Sequence, residues 1–310
     1  MTTDYAIETE GLEKIYRARF RGKEVKAVSN LTLRVPVGVK FGLLGSNGAG
    51  KTTFVKMLLT AVHPTAGSAR IFGKDTHLRE ARRPVGYLPE NHRFPTYLTG
   101  AGMLDFYGAL SGLSRSERQQ RIPGLLKLVG LAEWGPVRIK KYSKGMLQRL
   151  GLAQAIIHHP KLLILDEPTD GVDPAGRREI HDILNRLNGK GVTVFINSHL
   201  LSEVESLCEY VAIMRKGKLA LEGKISDLLV GTGYTVNASR LSPASISEIC
   251  AAGATTLRTP NGVAIQSPSS DHANLVMDKI RAAGGSIESF APSGGSLEEL
   301  FLKATAERGD

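Results

Sequence analysis

The sequence predicts an α/β protein: a mostly parallel sheet with crossover helices, interrupted by a helical insertion and followed by a small α+β domain. Three observations predict it. Strand-like runs alternate with helix-like periodicity before Leu229, strand signals thin out between Pro89 and Lys141, and beyond Leu229 the order becomes β-α-β-β-α-β. A chain of 310 residues, 42% hydrophobic and 23% charged, has room for one large domain and a small one.

Taken in order, Ala27 to Val35, Lys40 to Leu44, Lys161 to Leu165 and Val192 to Asn197 read as strands of the parallel sheet. Leu162 to Leu165 is an unbroken apolar run, as expected of a strand buried on both faces. Phe54, Met57, Leu58 and Ala61 fall at i, i+3, i+4 and i+7, which predicts a helix behind "GSNGAGKTT". Met146, Leu150, Ala153 and Ile157 make a second apolar stripe behind "YSKGM". Runs around "GMLDFYGAL" and "RIPGLLKLVGLAEW" predict a helical insertion over about residues 90–145, inside a first domain of residues 1–229. After the Gly-rich "VGTGY", residues 230–310 read as a strand (Tyr234 to Ala238), a helix (Ile246 to Ala252) and a hairpin turned at Asn261-Gly262. A helix (Asn274 to Ala283), a strand (Ser286 to Phe290) and a last helix in "SLEELFLKATA" follow, the order of a split-βαβ domain.

Forty basic against thirty acidic residues leave a net charge of +10, partly gathered in "RARFRGKEVK" and "RIKKYSKGMLQR". Such charge favours phosphate ligands, acidic lipid surfaces or nucleic acid without choosing among them. The start "MTTDYAIETE" has no apolar core of a leader, and no run of about 18 apolar residues occurs, so a cytoplasmic location is expected. Cys208 and Cys250 form no Cys-x-x-Cys or Cys/His cluster, which argues against a disulfide framework or a zinc site.

"GSNGAGKTT" satisfies G-x-x-x-x-G-K-[ST] through Gly45, Gly50, Lys51 and Thr52, between an apolar strand and a helix. Glycines let the backbone wrap a triphosphate, and the helix N-terminus aims free amides and a positive dipole end at it. Lys51 is expected at the β and γ oxygens and the Thr52 hydroxyl on Mg²⁺. Asp166 and Glu167 end the strand in "LLILDEPTD", where a parallel sheet opens into its ligand crevice. Alone, the pair would read better as a solvated turn after a core strand. Beside a phosphate loop, Asp166 is expected to hold the metal shell and Glu167 to position the attacking water as a base.

With "YSKGM" at Tyr142 to Met146 the assembly resembles the ABC (ATP-binding cassette) ATPase family from about Ala6 to Leu229. The resemblance implies a P-loop NTPase cassette with a mostly parallel core sheet, an antiparallel β subdomain and the helical insertion. It also implies ATP held by Gly45, Ser46, Asn47, Gly48, Ala49, Gly50, Lys51, Thr52 and Thr53. In that family the signature segment binds the γ-phosphate of ATP on the opposite subunit, which assigns Ser143 and Gly145 to a site in trans. Taken alone, Ser143 reads better as a plain helix N-cap. Lys144 and Met146 stand where the family usually has Gly and Gln. "TDGVDP" is similar to the loop whose Asp, here Asp173, connects the two sites of a dimer. "VFINSHL" is similar to the segment that delivers a His, here His199, to the γ-phosphate. Tyr16 in "LEKIY" lies where the adenine-stacking aromatic does, with Tyr5 and Phe20 as alternatives. In "VGYLPENH" the family commonly has Gln at Glu90. There it touches Mg²⁺ or water and links nucleotide state to the membrane partner, so Glu90 is expected as a Mg²⁺ contact.

The resemblance therefore implies a Mg²⁺-dependent ATPase that works as a homodimer. Glu90, "YSKGM" and the extension closing on "GSLEELFLK" look most like the ATP-binding subunits of ABC-2-type exporters. Such a subunit would power separate integral-membrane permease subunits from the inner face of the cell membrane. A soluble ABC protein acting on ribosomes or nucleic acid is the alternative, for which the +10 charge could supply phosphate contacts. A single cassette without a long coiled coil opposes it, and no direct nucleic-acid partner is expected. The C-terminal domain is expected to support dimerisation or subunit contact rather than to sense a ligand.

Overall fold

The computed structural model of the chain describes residues 4–17, 24–229, 233–251, 253–259, 262–292 and 296–305. The chain divides into two compact units, one ending at Lys224 and the other beginning at Ile225.

The first unit runs β1 (Tyr5–Tyr16), β2 (Val25–Pro36), β3 (Lys40–Leu44), α1 (Lys51–Leu58), β4 (Ala66–Ile71), β5 (Lys74–Asp75), α2 (Arg79–Arg82) and β6 (Val85–Leu88). Then come α3 (Gly100–Leu110), α4 (Arg115–Leu128), α5 (Lys144–Ile156), β7 (Leu162–Asp166), α6 (Pro174–Asn188), β8 (Thr193–Ser198), α7 (Leu201–Leu207), β9 (Tyr210–Arg215) and β10 (Lys218–Lys224). Its main sheet has the order β10-β9-β3-β8-β7-β6, parallel from β9 to β6, with β10 antiparallel at one edge. Every residue of β7 and β8 is buried, which is why Leu162 to Leu165 reads as an unbroken apolar run and β8 carries Val194, Phe195 and Ile196 in succession.

A second sheet, β2-β1-β4-β5, is antiparallel throughout. It corrects the placement of the strand expected at Ala27 to Val35, which lies here and not in the parallel sheet. The reason is legible in its burial: Leu31, Leu33 and Val35 point inward while Asn30, Thr32 and Arg34 are exposed, the alternation of a half-buried antiparallel strand. Helix α1 also stops short of the expected Ala61. Thr60 adopts a left-handed φ of 55°, so the apolar stripe ends at Leu58 and Ala61 is exposed.

Helices α3 and α4 form the insertion. Thr99 caps α3 and accepts the Gly102 amide, while Ser114 and Glu117 form a reciprocal capping box that starts α4. Ser143 caps α5, and Met146, Leu150, Ala153 and Ile157 are buried behind it.

The second unit contains α8 (Ile225–Leu228), β11 (Tyr234–Ser239), α9 (Pro243–Ala251), β12 (Thr255–Thr259), β13 (Gly262–Ser267), α10 (Ser270–Ala282), β14 (Ser286–Pro292) and α11 (Leu297–Thr305). Its sheet has the order β12-β13-β11-β14, antiparallel throughout, over a core that includes Val236, Ile249, Ile265, Val276 and Ile280. Ala252 and Asn261, named for a helix end and a turn, lie outside the described residues. Helix α10 begins before the expected Asn274, because the Ser269 side chain accepts the His272 amide and caps it there.

Candidate functional site

Residues Gly45 to Thr53 lead from β3 into α1. Gly50 is the N-cap of α1 at φ 103°, and a Cβ there would run into the Ala27 carbonyl oxygen, so the turn requires glycine. Lys51 is buried, and its Nζ donates to Gly45 O at 2.6 Å and Ser46 O at 3.4 Å. Burial lowers the Lys51 pKa, and the nearby charges of Glu167, Asp166 and Glu90 oppose that shift.

A cavity of about 540 Å³ gathers Ser46 to Thr53, Tyr16, Glu90, Asp166, Glu167, Asp170, Asn197 and His199. Its size suits a small organic ligand. Gly45 contributes through its carbonyl grip on Lys51 rather than as lining.

Asp166 is the last residue of β7, in register with Asn197 on β8, and the Asn197 amide donates to Asp166 Oδ1. Burial pushes the Asp166 pKa up to about 6; the Asn197 hydrogen bond opposes this, Glu90 and Glu167 add to it, and Lys51 opposes it. Glu167 follows at a left-handed φ of 50°, strained for a side chain with a Cβ. Five contacts hold it there, one of them the Asp170 amide on its carbonyl at 3.2 Å. Its amide donates to Asn197 O at 2.8 Å, its carbonyl accepts from Gln148 Nε2 at 3.3 Å, Oε2 accepts from Ser198 Oγ at 3.3 Å, and Oε1 lies 2.8 Å from His199 Nδ1.

Tyr16 ends β1 with 42% of its surface exposed, and Lys14 Nζ lies 5.2 Å from its ring centroid. Tyr5 is at the other end of β1 and does not line the cavity; Phe20 lies outside the described residues. Ser143, Gly145 and Asp173 are not brought into this cavity. Ser143 Oγ accepts the Met146 amide at 3.2 Å, and Asp173 Oδ1 accepts the Gly176 amide at 3.1 Å, so each starts a helix. A Cβ at Gly145 would lie 3.7 Å from Val172 Cγ1, which puts the tip of α5 beside the loop that carries Asp173.

The cavity suits Mg²⁺ and a triphosphate. The carboxylates of Glu90, Asp166 and Glu167 all act on the Lys51 ammonium, and the charges of Glu90 and Glu167 also raise the Asp166 pKa, a local crowding of anions that a divalent cation would relieve. Asn197 Oδ1 is buried without a hydrogen-bond partner among the described residues. Thr52, Asp166 and Glu90 offer hard oxygen donors, yet no group of three His, Cys, Asp or Glu among the described residues would hold a metal unaided. That is the usual arrangement for Mg²⁺, which takes one or two carboxylates and fills much of its shell with phosphates and water.

Motif spacing alone did not single out Asn197, Ser198, Asp170 or Gln148. Asn197 and Ser198 close β8 beside the strand that ends in Asp166, so the rule that ligands gather at the carboxyl ends of parallel strands was the available signal.

A family model described as ABC transporter matches residues 28–170. The uncharacterised ABC transporter ATP-binding protein all4389 of Nostoc sp. is 38% identical over 304 residues, covering 97% of this chain and 90% of that protein. The daunorubicin/doxorubicin resistance ATP-binding protein DrrA of Streptomyces peucetius is 33% identical over 315 residues, covering 98% and 94%. Among solved structures, an ATP-binding subunit of an ABC transporter superposes with a TM-score of 0.65 at 28% identity, covering 72% of this chain and 91% of that one.

Proposed function

The chain belongs to the ABC transporter family as an ATP-binding ATPase subunit, and we propose that it powers a separate membrane permease, as the energising half of an ABC-2-type exporter, through a Mg²⁺-dependent cycle of two copies. One observation carries this reading: the phosphate loop, Asp166, Glu167 and His199 line a single cavity at the carboxyl ends of parallel strands.

The loop amides and the α1 N-terminus hold the triphosphate, with the Lys51 ammonium turning from the loop carbonyls to the phosphate oxygens. Thr52, Asp166 and Glu90 would hold Mg²⁺, which when bound neutralises phosphate charge and polarises the transferred group. Glu167 orients and deprotonates the attacking water. His199, fixed by its bond to Glu167, meets the γ-phosphate from the end of β8. Tyr16 offers an exposed ring for the adenine face. Ser143 and Gly145 stand outside their own copy's cavity at a helix N-terminus, an arrangement suited to phosphate bound by a second copy. Asp173 would connect the two sites.

No helix among the described residues is long and apolar enough to cross a membrane, so transport assigns the crossing to other chains, and the subunit would sit at the inner membrane face through them. Glu90 lies between β6 and the helical insertion and would carry nucleotide state toward that permease. A relative named for drug resistance favours export, since removing a drug confers resistance. The second unit is assigned to dimerisation or subunit contact. A chain cut after residue 229 that pairs as the whole chain does would remove that assignment.

Affinity purification of the tagged full chain from detergent-solubilised membranes tests the partner. We expect a polytopic membrane protein to be retained and to stimulate ATPase activity. Recovery of ribosomes or nucleic acid in its place would contradict the reading.

A further inference from the structure

Lys144, between Ser143 and Gly145, reaches across to a different loop. Its Nζ lies 2.9 Å from Asp170 Oδ2, in the turn that follows Glu167. The lysine stem crosses Gly171: at φ 65°, a Cβ there would meet Lys144 Cε at 2.5 Å and Cδ at 2.7 Å, besides overlapping Nζ. Any side chain at 171 would therefore displace the ammonium, and the left-handed backbone already favours glycine.

Asp170 also belongs to the chain's own cavity. It lines the wall with Glu167 and His199, and its amide donates to the Glu167 carbonyl at 3.2 Å. Its carboxyl is held below the usual range, first by the Lys144 hydrogen bond, with the charges of Lys144, His199 and Arg177 acting in the same direction. A continuous set of polar contacts thus runs from Glu167 through Asp170 to Lys144, and so to the tip of α5. The Lys144 and Asp170 side chains are 62% and 54% exposed, so the pair adds little to folding stability. What it supplies is position: α5, already joined to the Glu167 carbonyl through Gln148, gains at its tip a second tie to the Asp170 turn.

We infer that Lys144 is a positioning residue of the ATPase: paired with Asp170 across Gly171, it locks the Ser143–Gly145 tip, which would complete the second copy's site, to the loop bordering the chain's own γ-phosphate site. The two sites of a pair are thereby coupled through each copy, and the lysine at a position where the family usually has glycine serves that coupling. This rests on the paired-copy reading above. A triphosphate in one site holds the Asp170 turn, and the Lys144 bond passes that order to the tip that closes the other site.

The experiment uses the full chain carrying Glu167→Gln, with pairing followed by analytical ultracentrifugation as Mg-ATP is raised, and the Hill coefficient of ATPase measured in the Glu167 background. Lys144→Ala and Asp170→Asn should each raise the half-pairing concentration by roughly two- to tenfold, because the ion pair already exists in the unpaired chain and helps pairing only by pre-ordering the tip. The double variant should be no worse than either single one, because the two side chains act as a unit. Each single variant should also bring the Hill coefficient toward one, and Lys144→Arg should restore both readouts. Additive losses, or an unchanged Hill coefficient in Lys144→Ala, would overturn the inference while leaving the paired ATPase intact. Failure of the Glu167→Gln chain itself to pair with Mg-ATP would overturn the paired reading and the inference with it.

Discussion

Glu167 Oε1 lies 2.8 Å from His199 Nδ1, the two residues following adjacent parallel strands β7 and β8. The contact fixes the direction of a carboxylate whose backbone is already strained at φ 50°. A strained residue held by five separate contacts is one whose orientation matters more than its local stability.

Replacing Glu167 by Gln keeps the shape and removes the base. Steady-state turnover should fall by about 10²- to 10⁴-fold while Mg-ATP affinity stays within a few-fold of the parent. Near-parental turnover would take Glu167 out of its role.

Lys51→Ala should act on binding instead. The charge-assisted contacts to phosphate are lost, and nucleotide affinity should weaken by about ten- to a hundredfold. Isothermal titration with Mg-ATP checks this; an unaltered dissociation constant would contradict the phosphate cradle.

Asp166 makes the metal-free chain sensitive to pH. Its folded pKa is raised to about 6, first by burial, so the folded state binds a proton that the unfolded state releases near pH 4. The unfolded state therefore holds fewer protons between these values, and the Asp166 contribution to stability falls as pH rises from about 4 to about 6. In EDTA, Asp166→Asn should match the parent in thermal stability at pH 4 and exceed it at pH 7.5. Adding Mg-ATP should reverse the order by stabilising the parent alone. A variant less stable than the parent at pH 7.5 without metal would contradict the assigned burial penalty.

Glu90 lines the same cavity and its charge acts on both Lys51 and Asp166. Glu90→Gln removes one anion from the cation shell, so the Mg²⁺ concentration for half-maximal ATPase should rise severalfold. An identical Mg²⁺ titration would place Glu90 outside the metal shell.

The phosphate loop and the acidic pair were legible because the chemistry of each lies in contiguous residues next to a mostly apolar strand, β3 for the loop and β7 for the pair. Pairings across the fold were not. The Asn197–Asp166 bond depends on the register of β7 against β8, and the Lys144–Asp170 bond on two loops meeting over Gly171. Ala27 to Val35 was recognisable as a strand, but its sheet partners are β1 and, beyond it, β4, which local pattern does not reveal. β1 itself escaped notice because register shifts interrupt its alternation between Thr9 and Leu12, where Gly11 adopts φ 56°. The short edge strands β5 and β10 carry too few inward side chains to announce themselves: β5 is exposed at both positions and β10 is nowhere fully buried.

The most direct measurement is a crystal structure of the full-length Glu167→Gln chain grown with Mg-ATP. We expect two copies with each γ-phosphate between Lys51 of one and the Ser143 hydroxyl and Gly145 amide of the other, at hydrogen-bond distances of about 2.7–3.2 Å. Nucleotide bound away from the Gly45–Thr53 loop, or copies joined with Ser143 and Gly145 facing solvent, would contradict the account.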